Sequence, residues 1–242
     1  MNTETQRIEV FGLQVDVIRK DIKNLHLAVY PPEGRIRVAV PLCVSDEAVR
    51  LAVISKLGWV RRQRSRFAGQ ERQSQREFVT GESHDFQGQR YRLNIVLQDG
   101  PAKVVLRNNR RIDLCVRPDS DTIRREKIIL QWYRQQLKIS IPSLIEKWQA
   151  VVGVQVATWG VKRMKTHWGT CNVEARRIWL NLELAKKPVQ CLEYIIAHEM
   201  VHLLERHHGE RFAALMDQFM PQWRLYREKL NHSALGHEIW KY

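Results

Sequence analysis

The chain has 242 residues, room for one large domain or two small ones and enough to bury a sizeable core. At 44% apolar and 27% charged, with 12 Gly and 8 Pro, it is neither collagen-like, low-complexity nor wholly disordered, and no run approaches the about eighteen apolar residues of a membrane-spanning helix. Forty Lys and Arg against 26 Asp and Glu leave +14, an excess that implies attraction to polyanions such as nucleic acid, nucleotides or acidic lipid.

Four cysteines, Cys43, Cys115, Cys171 and Cys191, are widely spaced with no CxxC pair and read as reduced thiols. The opening MNTETQRIEV lacks the charged and apolar segments of a secretory signal, which places the protein in the cytoplasm, away from membranes. Over residues 7 to 40, Phe11, Leu13, Val15 and Val17 alternate. Leu25, Leu27 and Val29 then precede a turn at Pro31-Pro32-Glu33-Gly34, and Ile36, Val38 and Val40 follow it, the signal of a β-hairpin. Ser45 caps a helix with Asp46 and Glu47 in its first turn and Val49, Val53, Leu57 and Val60 at helical spacing, running into RRQRSRFAGQERQSQR.

A second β block spans about 84 to 117: Tyr91, Leu93, Ile95 and Leu97 alternate, then Val105, a turn at Asn108-Asn109, and Ile112, Leu114 and Val116, which predicts a second antiparallel hairpin set. From Thr122 to about Ile139, Ile123, Leu130, Tyr133 and Leu137 are helical in spacing, and Pro142 is expected to kink or restart the helix towards Trp148. Two short strands are expected over 154–164 and 177–184, with a loop at Trp168-Gly169 between them. The remainder reads as helical, starting at Pro188, with a break near Gly209 and a further helix from Glu210 to Met220. No internal repeat or long linker is evident. The fold class is α+β: an antiparallel β-rich part with one basic helix over 1–118, then a mostly helical part over 119–242.

Residues 198 to 202 read His-Glu-Met-Val-His. Two histidines four residues apart stand one turn above the other on one helix face, so both imidazoles reach a single metal ion. The helix around them is apolar nearly all round, with Leu192, Ile196, Met200 and Leu203 on one side and Ala197, Val201 and Leu204 on another, and is therefore buried. Polar groups on such a helix need partners, and a zinc ion satisfies all three. Catalytic zinc takes three protein ligands and keeps one position for water. On a continuous helix His208 would lie about 15 Å along the axis from His198, so the helix must end first. Gly209, free to adopt positive φ, helps the chain reverse. Either His207 or His208 then swings back, and spacing alone does not choose.

The run Val161 to Cys171 (VKRMKTHWGTC), Ile178-Trp179-Leu180-Asn181-Leu182, Pro188, Tyr194 to Leu203 (YIIAHEMVHL), His208 and Phe212 resembles the YgjP-like zinc metallopeptidase family, which is similar to the SprT-like and WLM zincins. The family pattern is Arg-Trp-Gly-Ser-Cys, a strand ending Leu-Asn, then HExxH-Leu with a third histidine and a Phe beyond. This chain departs from it at His167 and Thr170, where the family has Arg and Ser. The match, detailed over about 151 to 223, implies a zincin-like metallopeptidase core in which His198, His202 and His208 hold Zn2+ and Glu199 is the catalytic base acting on a polypeptide. His207 is then an exposed neighbour, and Trp168 and Cys171 pack around the strand turn. Tyr194, His232 and His237 are candidates for stabilising the oxyanion.

Six Arg and one Glu fall between Arg61 and Arg76. Such a run is either a solvated basic face or a surface for phosphates, with Arg61, Arg62, Arg64 and Arg66 as candidates for nonspecific contact with nucleic acid or nucleotide. The resemblance also admits a nucleoside triphosphate pyrophosphatase using the same metal site, an activity associated with YgjP-like proteins, and a nucleic-acid-associated protease. A non-enzymatic alternative is a nucleic-acid-binding module with structural zinc, against which stands the usual closure of structural sites by four protein ligands.

Overall fold

In the computed structural model, which describes residues 5–30, 33–68, 76–164 and 167–231, alternate valines build the first sheet. Its strands are β1 (Thr5–Val10), β2 (Leu13–Lys20), β3 (His26–Tyr30) and β4 (Arg35–Pro41), in the order β1-β2-β4-β3. Phe11 and Gly12, at φ 49° and 72°, make the two-residue turn that joins β1 to β2. Val15, Val17, Val38 and Val40 pack against Val49 and Val53 of α1 (Asp46–Ser55) and Val60 of α2 (Leu57–Ala68), a separate small core. Each such side chain, fully buried, contributes about 1.5–3 kcal/mol. Ser45 caps α1 by accepting from the Ala48 N–H, as its sequence predicts.

The centre of this sheet differs from the expected hairpins. β2 and β4 run parallel, from Val15 opposite Ile36 to Lys20 opposite Pro41, and β3 folds back antiparallel on the outer edge of β4. Alternation reports which face of a strand is buried and is silent on which edge it joins. Pro31 and Pro32, in the predicted turn, lie outside the described residues.

The next four strands repeat that order. β5 (Ser83–Phe86), β6 (Gln89–Leu97), β7 (Lys103–Arg107) and β8 (Arg111–Val116) are arranged β5-β6-β8-β7, again with a parallel central pair between two antiparallel ones. Gln87 and Gly88, at φ 49° and 77°, occupy the place of Phe11 and Gly12. The chain thus contains a repeated four-stranded topology, although no repeat is evident in its residues.

The chain divides into two compact units between residues 73 and 74, not at 118. The reason is packing: Leu93, Ile112, Leu114 and Val116 share one core with Ile129, Tyr133 and Leu137 of α3 (Thr122–Val152), and the Tyr133 hydroxyl donates to the Asp85 carbonyl at 2.8 Å. The α3 helix runs 31 residues through Pro142 without restarting, its buried stripe Leu137, Ile141, Ile145 and Trp148 continuing past the proline. Apolar packing of that stripe offsets the about 3 kcal/mol that an interior proline costs.

Beyond α3 lie β9 (Thr158–Lys162), β10 (Gly169–Asn172) and β11 (Arg177–Asn181), in the order β10-β11-β9. Gly169 and the residues after it therefore form a third strand where a loop was expected. A 3-10 turn over Leu182–Lys186 leads into α4 (Val189–Val201), followed by α5 (Glu210–Phe219) and α6 (Trp223–Asn231). The β5–β6 turn is docked on the entry to α4: the Gln87 and Gly88 N–H groups donate to the Ala185 and Lys186 carbonyls. A Cβ at Gly88 would stand 2.6 Å from the Pro188 ring, so only glycine lets the turn approach that closely. No helix of the described residues is long and apolar enough to cross a membrane.

Candidate metal centre

Helix α4 is core on nearly every side, with Leu192, Ile195, Ile196, Ala197, Met200 and Val201 all buried. His198 and His202 stand one turn apart on it, ring centroids 4.9 Å from each other. The chain then leaves the helix tightly, the Leu203, Leu204 and Glu205 N–H groups bonding back to the Met200 and Val201 carbonyls. His207 N–H donates to the Glu205 carboxylate at 3.1 Å. These bonds reverse the chain without a left-handed residue, and Gly209 is extended at φ −89° rather than positive as expected.

The reversal brings back His208, not His207. His208 Nε2 lies 3.0 Å from His198 Nε2, and one nitrogen from each of His198, His202 and His208 lies within 4.8 Å of the others. His207 is exposed and outside this group. Phe212, in the first turn of α5, is buried against all three rings at 4.7–4.9 Å between centroids.

Three converging imidazole nitrogens set lone pairs against one another unless a cation stands between them, and an all-nitrogen donor set suits zinc. Burial first, then neighbouring His202, His208 and Arg227, lowers His198 to about 3. His202 and His208 are likewise lowered, chiefly by burial, so all three favour the neutral form that binds metal. His202 Nδ1 faces the Glu205 carbonyl at 3.2 Å, which places the ring hydrogen there and leaves Nε2 free as a donor to metal. The residues present therefore fit a zinc ion.

Glu199 follows His198 on α4, and burial alone pushes its carboxyl up to about 8. Strand β10 lies directly against it. A Cβ at Gly169 would stand 2.5 Å from Glu199 Oε1 and 2.7 Å from Ile195 Cγ2, so this strand approaches the carboxylate only because residue 169 has no side chain. The approach to β10 is held by Asn181, fully buried at the end of β11. Its Nδ2 donates to the Met164 and His167 carbonyls, both at 2.8 Å, while its Oδ1 accepts the Met164 N–H at 3.3 Å. Neither role is legible in spacing alone, although a polar residue ending a strand of buried apolar ones is a usable signal for Asn181.

Replacing Gly169 with Ala is accordingly expected to displace Glu199 and Ile195, to cost about 1–3 kcal/mol of stability by overpacking, and to lower turnover while metal content stays unchanged. Thermal melting, metal analysis and turnover on one preparation check this. Wild-type turnover in the variant would contradict it.

The three histidines and Glu199 open on a cleft of about 560 Å³ that is also lined by His167, Gly169, Thr170, Cys171, Val173 and Arg206. Burial, with the charge of Glu199 adding to it, raises the Cys171 thiol to about 11, so it stays protonated, and Cys171 is not in the histidine group. Tyr194 lies between His198 and Trp223, edge-on to the first at 5.7 Å and stacked on the second at 6.4 Å. Burial raises its hydroxyl to about 12, which keeps it a hydrogen-bond donor. His232 and His237 lie outside the described residues.

Of the arginine run, Arg72 lies outside the described residues. Arg61, Arg62 and Arg64 are exposed on α2, but the Arg64 stem lies across Gly34, its Cγ 2.6 Å from where a Cβ there would be. The side chain of Arg66 is outside the described residues. Arg76 belongs to the other unit and pairs with Glu82 at 3.1 Å.

A search of curated proteins found no match. Among solved structures, the crystal structure of the metallopeptidase zymogen of Pyrococcus abyssi abylysin is 17% identical over 36% of this chain and 89% of that one, with a TM-score of 0.34, a likeness too slight to carry an argument. The model of the YgjP-like metallopeptidase domain matches residues 23–233, a span that includes the histidine group, Glu199, β10 and Asn181. The chain belongs to the YgjP-like metallopeptidase family.

Proposed function

We propose that the chain is a zinc-dependent peptidase in which His198, His202 and His208 hold the metal and Glu199 is the base. The observation that carries this reading is the convergence of three imidazole nitrogens within 4.8 Å, beside a buried carboxylate, at the wall of an open cleft. When bound, zinc supplies a Lewis acid for the scissile carbonyl and lowers the pKa of water towards neutrality. The charge of a bound cation would favour the ionised form of the buried Glu199, which would then accept the proton of the attacking water at its carboxylate and return it to the leaving amine. Gly169 and Asn181 position that carboxylate and the strand facing it, and Phe212 keeps water from the far side of the imidazoles. The resemblance noted in the residues supports a zincin-like arrangement, and the absence of Cys171 from the donor group speaks against a closed structural site.

A second reading keeps the site and changes the substrate to a phosphoanhydride. It is favoured by Arg206, which lines the cleft with no carboxylate partner among the described residues. Zinc-loaded protein should be incubated separately with an unfolded polypeptide and with nucleoside triphosphates, with Glu199→Gln as control. Peptide cleavage abolished in the variant is the expected result. Pyrophosphate release abolished in the variant, without peptide cleavage, would overturn the peptidase assignment.

Nucleic acid as a partner is the further part of the proposal, resting on the +14 charge and the exposed arginines of α2. Binding to single- or double-stranded DNA should weaken steeply as salt rises from low to physiological concentration. Replacing Arg61, Arg62, Arg64 and Arg66 with Gln should reduce both affinity and salt slope, the slope by about 0.7–0.9 for each phosphate no longer neutralised. Equal binding by both proteins, or none by either at low salt, would make α2 a solvated face only.

A further inference from the structure

We propose that the β7–β8 hairpin carries a phosphate site, built from Arg107 and Arg111, that takes the backbone of a nucleic acid. The partner rests on the nucleic-acid reading above. The surface does not: it is separate from α2 and belongs to the unit that holds the histidine group.

Arg107 ends β7 and Arg111 begins β8 directly opposite it, so both side chains leave the same face of the sheet. Val105 and Asp113 are the next opposed pair on that face. Asp113 is buried and accepts Arg107 Nε on Oδ2 at 2.8 Å, while Arg111 Nε lies 2.9 Å from Oδ1 and Asn94 Nδ2 donates to Oδ1 at 2.9 Å. Burial pushes the Asp113 carboxyl up, but hydrogen bonds from Arg107 and Asn94 and the charge of Arg111 outweigh it and hold it below the usual carboxylate range. It is therefore ionised at neutral pH and orients both guanidiniums through Nε. Among the described residues Asp113 is the only ion-pair partner of either arginine, whose side chains stay 53% and 45% exposed with their Nη nitrogens unengaged.

The lining of the adjoining hollow identifies the occupant. This shallow space of about 420 Å³ at the hairpin end is lined by Leu106, Arg107, Asn108, Asn109 and Arg111, with no carboxylate in its wall. Two guanidiniums and two carboxamides offer many hydrogen-bond donors, and the charge selects an anion. A planar fork already held along one edge loses little further freedom on gripping an oxyanion, and phosphate accepts such a fork in bidentate fashion. The surroundings favour a phosphate that is one of many over an isolated carboxylate. From residue 90 to residue 117, seven Lys and Arg stand against two Asp, one of them Asp113 itself. Each phosphate neutralised along a nucleic acid also releases condensed counterions, a gain that a single carboxylate does not supply.

The test is binding of labelled single- and double-stranded oligonucleotides, by fluorescence anisotropy over a range of salt, to wild type and to Arg107→Gln/Arg111→Gln. Lys127→Gln/Lys138→Gln, at exposed positions of α3, is the control of equal charge. Melting temperature and zinc content establish that each variant folds. The hairpin variant should bind about tenfold more weakly or worse, as expected for lost charge-assisted hydrogen bonds, and with a shallower salt slope, while the control stays within about threefold of wild type. Equal loss in both variants overturns the proposal, because net charge then suffices. So does unchanged binding by the hairpin variant, or binding of anionic vesicles in place of DNA. Phenylglyoxal modification of the wild type, mapped by mass spectrometry with and without oligonucleotide, needs no variant: Arg107 and Arg111 should be shielded, and modification at the free-protein rate would overturn the site. The two nucleic-acid surfaces fail separately. Loss in the hairpin variant with full binding by the α2 variant removes α2 alone, and the reverse removes the hairpin alone. If the wild type binds no DNA, titration with a nucleoside triphosphate decides: binding lost in the hairpin variant removes the nucleic-acid partner and keeps the phosphate site, and no binding removes both.

Discussion

Glu199→Gln is expected to bind zinc as the wild type does and to lose about a hundred- to ten-thousandfold in turnover, the usual worth of a positioned general base. The amide keeps the shape of the carboxyl against Gly169 and Ile195, so packing is preserved. It removes only the ability to take a proton. Because the loss concerns the transition state, kcat should fall while KM changes little. The measurement is steady-state kinetics on protein whose metal content has been determined. Retained turnover would remove Glu199 from the mechanism, and lost zinc would make it a ligand instead.

His208→Ala is expected to abolish stoichiometric zinc binding, whereas His207→Ala should leave it intact. The two residues are adjacent, of the same side-chain type and both exposed, so sequence position cannot separate their effects. Geometry does: His208 Nε2 meets His198 Nε2 at 3.0 Å, while His207 lies outside the group. Even removing groups that only orient a ligand costs about 10–100-fold in affinity, so deleting one of three ligands should exceed that. Zinc should also raise the melting temperature of wild type and His207→Ala. At a hundredfold excess over Kd the stabilisation is about 2.7 kcal/mol, and His208→Ala should show none of it. Zinc bound equally by His208→Ala would place the third donor elsewhere.

The residues of the proposed centre were legible in the sequence because most of them are local. His198, Glu199 and His202 are read from one helix, and the family resemblance added His208 where spacing left His207 open. Parts depending on distant pairing were not legible. β10 has four residues, Gly-Thr-Cys-Asn, with no alternation to report, and it is a strand only because β11 pairs with it. The parallel pairs β2–β4 and β6–β8 are equally nonlocal, and they hide the repeat because the two sheets share strand order and turn conformation rather than side chains. The boundary expected at 118 follows a change in local pattern, from strand to helix. The core ignores that change, because β8 and α3 bury the same cluster. The arginine run illustrates the same limit: Arg64 and Arg76 are near in sequence, yet one lies across Gly34 and the other pairs with Glu82 in a different unit.

Zinc stoichiometry combined with X-ray absorption at the zinc edge tests the central claim most directly. One zinc per wild-type chain, with three imidazole nitrogens at about 2.0–2.1 Å and no sulfur neighbour, is the predicted result. A sulfur scatterer at about 2.3 Å would bring Cys171 into a closed, structural shell, and the absence of stoichiometric zinc from protein offered the metal would contradict the metal centre itself.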